Sequence, residues 1–377
     1  MNICFVNDDF GVGGVQNSVA KIGNRIADQH NVTYVSLKKE KIEMDIPSEK
    51  ITFFDRKLNR FCKLYRNFVK YSQYILFKNY DFSKYKSAEV KFLIDYIIQN
   101  DIEIVIMNQG STIALIDRIQ SKVPKVKFIS WVHSNFEVYL NNYYRRFSKS
   151  LVKGIECSDQ VICLTNTDKQ NISFYSNNVN QIDNPNTLEN PKISDLNNKS
   201  IAFVSRLNFI TKGIDYLIEI AKNLPSEWKI KIAGVGTELE KKKLIEMIQI
   251  NKLESRIIYC GEMNKSQLIE FYSSCSIFLS TSRWEGFGLS IIEAMSSGLP
   301  VISFENSGPD TILKKGKYGL LVPKYDLTTM NKCILFLTEN EQNLKKYQEL
   351  SLARSKDFSI EIIGKKWLRL IDDLRIK

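Results

Sequence analysis

Short apolar runs alternate with amphipathic segments along the chain, and this order repeats in its two halves. Between the first two apolar runs, Val15, Val19, Ile22 and Ile26 recur at the period of a helix that packs on one side. Strands that alternate with helices predict parallel sheets built from right-handed βαβ units. The sequence therefore predicts an α/β protein of two doubly wound domains.

The apolar runs predicted as strands fall into two groups, one in each half of the chain. In the first half they are Ile3–Val6, Val32–Leu37, Glu103–Met107, Lys127–Trp131 and Gln160–Leu164. In the second half they are Ile201–Ser205, Lys229–Ala233, Arg256–Tyr259, Ser276–Leu279, Pro300–Ser303 and Gly319–Val322. Each half thus has enough strands for a sheet of its own.

A polar stretch without periodicity, which contains Pro185 and Pro191, marks the boundary between the halves. We predict an N-terminal Rossmann-like domain over 1–184, a linker over 185–198 and a C-terminal Rossmann-like domain over 199–357. The last segment, 358–377, carries an apolar stripe of helical period. We expect this terminal helix to pack back on the N-terminal domain.

Composition narrows the class of protein. The chain has 377 residues, 44% hydrophobic and 25% charged, as in globular proteins, and no apolar run long enough to predict a spanning helix. Its start lacks a basic region and is predicted as a strand, so no signal peptide is expected. Seven scattered cysteines and two histidines give poor support for a zinc site and fit a reducing cytosol.

The formal net charge of +11 is compatible with nucleic acid, an anionic membrane surface or phosphorylated substrates as partners, or with a lysine-rich composition alone. No nucleic-acid-binding module accompanies the charge, so nucleic acid is not expected. Basic residues concentrate in 56–91, where Phe61, Leu64, Phe68, Ile75 and Leu76 follow a helical stripe. This segment is either a helix that lies on an anionic bilayer or an ordinary amphipathic helix with a solvated basic face. The basic residues are Arg56, Lys57, Arg60, Lys63, Arg66, Lys70, Lys78, Lys84, Lys86 and Lys91.

The strongest motif is E-G-F-G-L-S-I-I-E, from Glu285 to Glu293, between a predicted strand and a predicted helix. Its two glycines let the backbone approach a ligand closely, and the helix N-terminus behind them suits a phosphate. The two glutamates are placed to flank one ligand. The alternative is a helix cap followed by a buried ion pair.

Two further positions follow predicted strands. Arg206 and Lys212 can clamp a pyrophosphate and stabilise a leaving group, unless they are solvated surface cations. His133 follows the strand that ends at Trp131, at the edge where doubly wound sheets bind ligands, although a lone histidine is more often structural. The stretch from Gly11 to Gly14 does not complete a dinucleotide fingerprint, so a dehydrogenase is not expected.

The E-x7-E spacing, in this context and followed by Gly298-Leu299-Pro300-Val301, resembles the signature of the retaining glycosyltransferases of family 4 (GT4). The run Ser307-Gly308-Pro309-Asp310-Thr311-Ile312, in place of the family's usual glycine-glycine-x-x-Glu, resembles a variant common among bacterial surface-polysaccharide transferases. The resemblance implies the GT-B fold, two facing Rossmann-like domains with an interdomain cleft. It assigns the acceptor to the N-terminal domain and the nucleotide sugar to the C-terminal domain.

The resemblance also implies roles for single residues. Arg206 and Lys212 would hold the donor diphosphate, Glu285 would face the sugar hydroxyls, and Glu293 would accept hydrogen bonds from the ribose. His133 would contact the donor sugar. The implied catalytic residues are His133, Arg206, Lys212 and Glu285. The remaining implied donor-binding residues are Gly13, Gly14, Gly234, Gly261, Met263, Gly286, Phe287, Gly288 and Leu289.

The implied activity is retaining transfer of a hexose or N-acetylhexosamine from a nucleoside diphosphate sugar, UDP being the commonest donor nucleotide. The acceptor would be a glycan or a lipid-linked acceptor in surface polysaccharide biosynthesis, in the cytoplasm or peripherally on the inner face of the cell membrane. No cofactor and no metal are expected, since nothing resembles a DxD motif after a strand. A non-catalytic sugar-nucleotide-binding or membrane-scaffold partner, and a nucleotide-sugar epimerase or hydrolase on the same fold, remain alternatives.

Overall fold

The computed structural model describes residues 1–11, 13–55 and 60–376. The chain divides into a first unit, Met1–Pro185 with the terminal helix, and a second unit, Asn186–Ser359. In the described residues, each unit contains one parallel sheet, of seven strands in the first unit and six in the second. This confirms the prediction of an α/β protein with two doubly wound sheets.

The strands of the first unit are β1 Asn2–Asn7, β2 Asn31–Ser36, β3 Ile51–Phe53, β4 Ile104–Met107, β5 Lys127–Trp131, β6 Gln160–Cys163 and β7 Val179–Gln181. Its helices are α1 Gly14–Ile26, α2 Arg60–Phe77, α3 Phe82–Tyr85, α4 Ser87–Gln99, α5 Gly110–Ile113, α6 Ile116–Gln120, α7 Phe136–Val138, α8 Ser148–Glu156, α9 Asn166–Ile172 and, at the end of the chain, α18 Ile360–Ile376.

The second unit has the strands β8 Ser200–Val204, β9 Lys229–Ala233, β10 Ile257–Gly261, β11 Ile277–Ser280, β12 Val301–Phe304 and β13 Leu320–Val322. Its helices are α10 Phe209–Lys212, α11 Ile214–Lys222, α12 Glu238–Ile250, α13 Lys265–Ser273, α14 Leu289–Ser296, α15 Ser307–Ile312, α16 Leu327–Thr338 and α17 Glu341–Ser355.

The first sheet is buried on both faces, which explains why its strands have nearly continuous apolar sequences. Successive side chains of β1 point to opposite faces, so Ile3 and Phe5 join one core while Cys4 and Val6 join the other. The terminal helix α18 contributes Trp367 to the first of these cores and packs on α1.

The strand orders create a switch point in each sheet. The first sheet runs β3-β2-β1-β4-β5-β6-β7, and the second runs β10-β9-β8-β11-β12-β13. The order therefore reverses between β1 and β4, and between β8 and β11. Because the strands are parallel, the loops after each such pair begin at one edge of the sheet, where doubly wound folds bind ligands.

The edge strands and the linker differ from the expectation, and the terminal helix starts two residues later than expected. The short edge strands β3 and β7 were not predicted. The predicted linker 185–198 lies almost entirely in the second unit: the Ser194 backbone N–H donates to the Ser297 carbonyl at 2.9 Å, and the Ser194 hydroxyl donates to the Cys275 carbonyl at 2.5 Å. The terminal helix begins at Ile360 and groups with the first unit.

Candidate functional site

The loops that follow β8 and β11 meet at the switch point of the second sheet. Lys212 ends α10 after β8, and Glu285 lies between β11 and α14. The Lys212 Nζ lies 2.6 Å from the Glu285 Oε2, and each side chain is only about a fifth exposed (19% and 17%). The Ser282 hydroxyl donates to the same carboxylate oxygen at 3.2 Å. Two residues that were assigned separately from the sequence thus form one partly buried ion pair.

Arg283 holds these two loops together. Its backbone N–H donates to the Thr211 carbonyl at 2.9 Å, and its guanidinium donates to the Phe209 and Ile210 carbonyls at 3.1 Å each. The guanidinium also pairs with Asp215 and lies 4.2 Å from the centroid of the Tyr216 ring. The bond to Asp215 raises the pKa of Arg283. This role could not be found from the sequence, because most of the partners are backbone carbonyl oxygens.

Thr281 adds a second link between the loops, since its hydroxyl lies 3.0 Å from the Lys212 carbonyl and 2.9 Å from the Gly213 carbonyl. Gly213, in the left-handed conformation, ends α10. The backbone on both sides of the Lys212–Glu285 pair is therefore fixed by protein contacts.

The glycine-rich turn from Gly286 to Gly288 leads directly into α14, for which Gly288 is the N-cap and Leu289 the first residue. Phe287 is buried and packs edge-on against Phe358 at 6.1 Å between ring centroids. The N-cap of α14 makes no side-chain hydrogen bond, and the first N–H groups of a helix have no partner within the helix. The arrangement suits a phosphate or a hydroxyl-rich ligand.

Glu293 lies on α14 and is buried, with 9% of its surface exposed. The Tyr272 hydroxyl donates to its Oε2 at 3.1 Å, and the Thr187 hydroxyl donates to its Oε1. Burial, followed by the neighbouring Glu293 carboxylate, raises the pKa of Tyr272 well above its usual value. These two hydroxyl donors were not found from the sequence, since Thr187 and Tyr272 belong to no motif.

Gly234 and Gly261 link the loops that follow β9 and β10. The Gly234 N–H donates to the Gly261 carbonyl at 2.8 Å, and the Tyr259 hydroxyl donates to the Gly234 carbonyl at 3.0 Å. A Cβ atom on Gly234 would lie 1.7 Å from the Ser205 carbonyl oxygen. Only a glycine at this position lets the loop after β9 pack this closely against the loop after β8.

Arg206 and Met263 complete the predicted positions of the second unit. Arg206 is exposed, and its guanidinium has no hydrogen bond or ion pair with any residue that the structure describes. Met263 is partly buried beside a shallow depression that also includes Cys260 and Phe271. Arg206 follows β8 and Met263 follows β10. Both strands belong to the parallel sheet whose β8 and β11 are followed by Lys212 and Glu285.

His133 lies just after β5 in the first unit and is buried, with 8% exposed. Within the described parts of the chain, neither ring nitrogen has a hydrogen-bond partner. Its ring centroid lies 4.2 Å from that of Trp131, which in turn lies 4.5 Å from Trp367 of α18. Burial lowers the pKa of His133 to about 3, so the imidazole is neutral at ordinary pH.

Asp168 supports the turn that follows His133. Its carboxylate accepts the Phe136 N–H at 2.9 Å and the Thr165 hydroxyl at 2.5 Å. Desolvation raises the pKa of this buried carboxyl. The signal in the sequence is the N-cap pattern at Thr165, which predicts only a helix start.

The glycine-rich loop after β1 leads through Gly13, the N-cap, to Gly14, the first residue of α1. The Gln16 amide donates to the Asp9 carboxylate at 2.9 Å. Across the switch point of this sheet, the Ser111 hydroxyl donates to the Asp8 carboxylate at 2.5 Å. No role was predicted for Asp8 or Asp9; the structure makes them polar cross-links of the loops around Gly13.

The chain is similar to known proteins in sequence and in fold. Residues 186–353 match the family model described as "Glycosyl transferases group 1". An uncharacterized glycosyltransferase of Haemophilus influenzae is 28% identical over 96% of this chain and 97% of its own length. A poly(ribitol-phosphate) alpha-N-acetylglucosaminyltransferase of Staphylococcus aureus is 29% identical over 64% of this chain and 49% of its own length.

Among solved structures, Anabaena HepE in complex with UDP and glucose has a TM-score of 0.76 at 15% identity, covering 99% of this chain and 100% of its own. The fold is that of solved GT-B glycosyltransferases, and the match of the second unit to a glycosyltransferase family model supports the same class of protein. Its second unit carries the Glycosyl transferases group 1 domain, and its relatives include enzymes of polysaccharide synthesis. The resemblance found in the sequence is confirmed at this level.

Two further features concern the residues that the structure describes. No group of three or more His, Cys, Asp or Glu side chains in these parts of the chain is placed to hold a metal ion. No helix in the same residues is both long and apolar enough to cross a bilayer.

Proposed function

We propose that the chain is a retaining glycosyltransferase that moves a hexose or N-acetylhexosamine from a UDP-sugar to a glycan or lipid-linked acceptor of a surface polysaccharide. The observation that carries the proposal is the Lys212–Glu285 pair at the switch point of the second sheet, one turn of helix before Glu293. HepE, which has the same fold, binds UDP and glucose, and the S. aureus relative transfers N-acetylglucosamine. We propose a cytoplasmic location, where nucleotide sugars are available.

The donor diphosphate would lie beside Lys212 and Arg206. Negative charge accumulates on the diphosphate as it leaves, and an ammonium and a guanidinium held in place stabilise that charge more in the transition state than in the ground state. Lys212 is fixed by Glu285 before any ligand binds, so little reorganisation is required. These two cations would supply what a divalent ion supplies in metal-dependent transferases, so we propose that no metal is needed.

The nucleoside and the sugar would be recognised by the two glutamates. Glu293 is held by Tyr272 and Thr187, so its carboxylate is oriented to accept hydrogen bonds from ribose hydroxyls. Glu285 would accept hydrogen bonds from the sugar hydroxyls while it keeps Lys212 in position. His133, neutral at ordinary pH, would contact the donor sugar as a hydrogen-bonding group without charge.

In the proposed reaction, one bond of the anomeric carbon is replaced by another on the same face of the sugar. The bond from this carbon to the diphosphate oxygen breaks, the bond to the acceptor oxygen forms on the same face, and the acceptor proton passes to the departing diphosphate. The configuration is thereby retained without a protein nucleophile. Proton NMR of the first product formed would show the same anomeric configuration as the donor.

The test is a thermal-shift series with UDP, GDP, ADP and TDP and their common sugar conjugates, in the presence of EDTA. We expect a selective shift with UDP or UDP-sugars that is reduced in Glu293→Gln, which keeps the size of the side chain. Glu246→Gln, an exposed glutamate of α12, is the matched control. The absence of any shift would favour the non-catalytic scaffold, and release of an isomerised free nucleotide sugar would favour the epimerase.

A further inference from the structure

Helix α2 presents a continuous apolar stripe to solvent. Phe61, Leu64, Phe68, Tyr71 and Ile75 recur at alternating intervals of three and four residues, which places them on one face of the helix. Their exposed fractions lie between 57% and 83%, and the adjacent Leu76 and Phe77 are 72% and 67% exposed. Such a face normally packs against the rest of a protein.

The polar face of α2 is the one that contacts the first unit. The Arg66 guanidinium lies 4.5 Å from the centroid of Tyr85 and 3.8 Å from the Glu89 carboxylate. The Lys70 Nζ lies 4.9 Å from the centroid of the same tyrosine, and burial lowers the pKa of this lysine. Arg66 and Lys70 of the predicted basic segment therefore pack against the protein, whereas Lys78, Lys84 and Lys91 are exposed. Arg56 and Lys57 lie outside the described residues.

Further contacts fix this orientation near the end of α2. The Gln73 side-chain carbonyl accepts the Asp81 N–H at 3.0 Å, and the Arg146 guanidinium lies 5.3 Å from the centroid of Tyr74. Rotating the helix to bury its apolar stripe would break these contacts together with those of Arg66 and Lys70. The outward stripe is thus part of the folded arrangement, and it is much larger than the isolated exposed apolar residues of an ordinary surface.

Charge identifies the class of surface that covers this stripe. From residue 56 to residue 80 the sequence has seven Lys or Arg and no Asp or Glu. The exposed Arg145 and Arg146 stand beside the end of α2, because the Asn79 amide donates to the Arg145 carbonyl at 3.2 Å and the Tyr80 N–H donates to the Arg146 carbonyl at 2.9 Å. An apolar helix face bordered by cations is complementary to the interface of an anionic bilayer.

We propose that the outward face of α2 inserts into the interface of a bilayer that contains anionic phospholipid. The apolar stripe would lie among the upper acyl chains, while Lys78, Arg145 and Arg146 would contact the lipid phosphates. This inference does not depend on the proposed reaction, since it rests on residues of the first unit alone. For a transferase with a lipid-linked acceptor, such docking would hold the enzyme where the acceptor is.

The experiment measures sedimentation of the full chain with vesicles of phosphatidylcholine alone and with vesicles that also contain phosphatidylglycerol. The test variant combines Leu64→Ser, Phe68→Ser and Ile75→Ser. The matched control combines Phe174→Ser, Leu239→Ser and Ile250→Ser, which are equally exposed large apolar residues elsewhere. A second variant combines Lys78→Gln, Arg145→Gln and Arg146→Gln.

We expect the wild type and the apolar control to bind the anionic vesicles. The α2 variant should partition more weakly by about a thousandfold, since each of the three large apolar side chains accounts for about tenfold. The charge variant should bind anionic vesicles roughly a hundredfold more weakly, at about fivefold per charge. UDP-induced thermal shifts should be unchanged in all variants, which separates this proposal from the proposed reaction.

Four results would overturn the proposal. They are no binding by the wild type, equal loss in the apolar control, binding that survives the α2 substitutions, and equal affinity for neutral and anionic vesicles. Light scattering of the same samples can give a fifth result that would overturn the proposal. A wild-type oligomer that becomes a monomer in the α2 variant, without vesicle binding, would make the stripe an interface between copies of the chain.

Discussion

The loops of the two sheets are built differently, although both sheets have the same parallel construction. In the second unit, Arg283 and Thr281 tie the β8 and β11 loops into one body around Lys212 and Glu285. In the first unit, the ring of His133 is buried without a hydrogen-bond partner among the described residues, and α2 turns its apolar face outward. The first unit also has cross-linked loops, through the Ser111 hydroxyl to Asp8 and the Gln16 amide to Asp9, but these donors are neutral. Under the proposed function, we interpret the ion pair of the second unit as suited to the charged donor diphosphate and the first unit as suited to the acceptor.

The largest effect is expected at the fixed pair. Lys212→Ala should lower kcat/KM by about a thousandfold, because it removes a positioned charge beside the leaving group. The measurement is steady-state transfer to acceptor, with the unfolding temperature as a check on folding. Lys222→Ala, which removes a surface lysine paired with Glu219, is the matched control and should leave activity unchanged. Equal activity of both variants would place the leaving group elsewhere.

The next effect concerns the packing of glycine loops in the second unit. Gly234→Ala should lower the free energy of unfolding by about 3 kcal/mol or more, because the new Cβ would meet the Ser205 carbonyl. Gly261→Ala, where φ is +81° but no atom lies within 4 Å of the new Cβ, should cost only about 1 kcal/mol of backbone strain. Urea unfolding measures both. Equal losses would mean that the loops do not need this close approach.

The next prediction is that His133, the buried histidine of the first unit, makes the free energy of unfolding depend on pH. Its folded pKa of about 3 lies below the usual value of 6.5, so between these values the unfolded state binds more protons. Its neutral form stabilises the fold at pH 7, and acidification from pH 7 to pH 5 should remove roughly 2 kcal/mol. His133→Asn should lose less on acidification, as urea unfolding at the two pH values would show.

The control for this prediction is the other histidine of the chain. His30 is much less buried, so His30→Asn should keep most of the acid sensitivity of the wild type. If His133→Asn and the wild type lose the same stability on acidification, His133 is solvated or hydrogen-bonded in the folded protein, and the account of the first unit is wrong.

The smallest effect is expected at the link between the two loops of the second unit. Arg283→Lys keeps the charge but loses the planar fork that reaches two carbonyls and Asp215 together, so kcat/KM should fall about tenfold. The reason is a less well positioned Lys212, so the loss should lie in kcat more than in KM. An unchanged kcat would show that Lys212 is positioned without Arg283.

The sequence was most informative where periodicity and motif agreed. All the strands of the second sheet were predicted, because each contains apolar residues between polar turns. The missed strands β3 and β7 have three residues each and lie at the two edges of the first sheet. Unlike the equally short β13, which is Leu-Leu-Val, both contain polar residues and are not continuous apolar runs.

Contacts between residues far apart in the chain could not be predicted from the sequence. Lys212 and Glu285 are 73 residues apart, so the motif named both residues but not the ion pair between them. The carbonyls that Arg283 reaches carry no side-chain signature. The stripe of α2 was recognised as helical, but which of its faces turns outward depends on Tyr80 and Tyr85, whose rings contact Lys70.

The most direct test of a donor site built on Arg206 and Lys212 is the dissociation constant of UDP, measured by isothermal titration calorimetry in EDTA. We expect metal-independent binding by the wild type, binding at least about tenfold weaker in Arg206→Ala combined with Lys212→Ala, and wild-type binding in Lys222→Ala. Binding that requires a divalent ion, or that is unchanged in the double variant, would contradict a donor site built on these two cations.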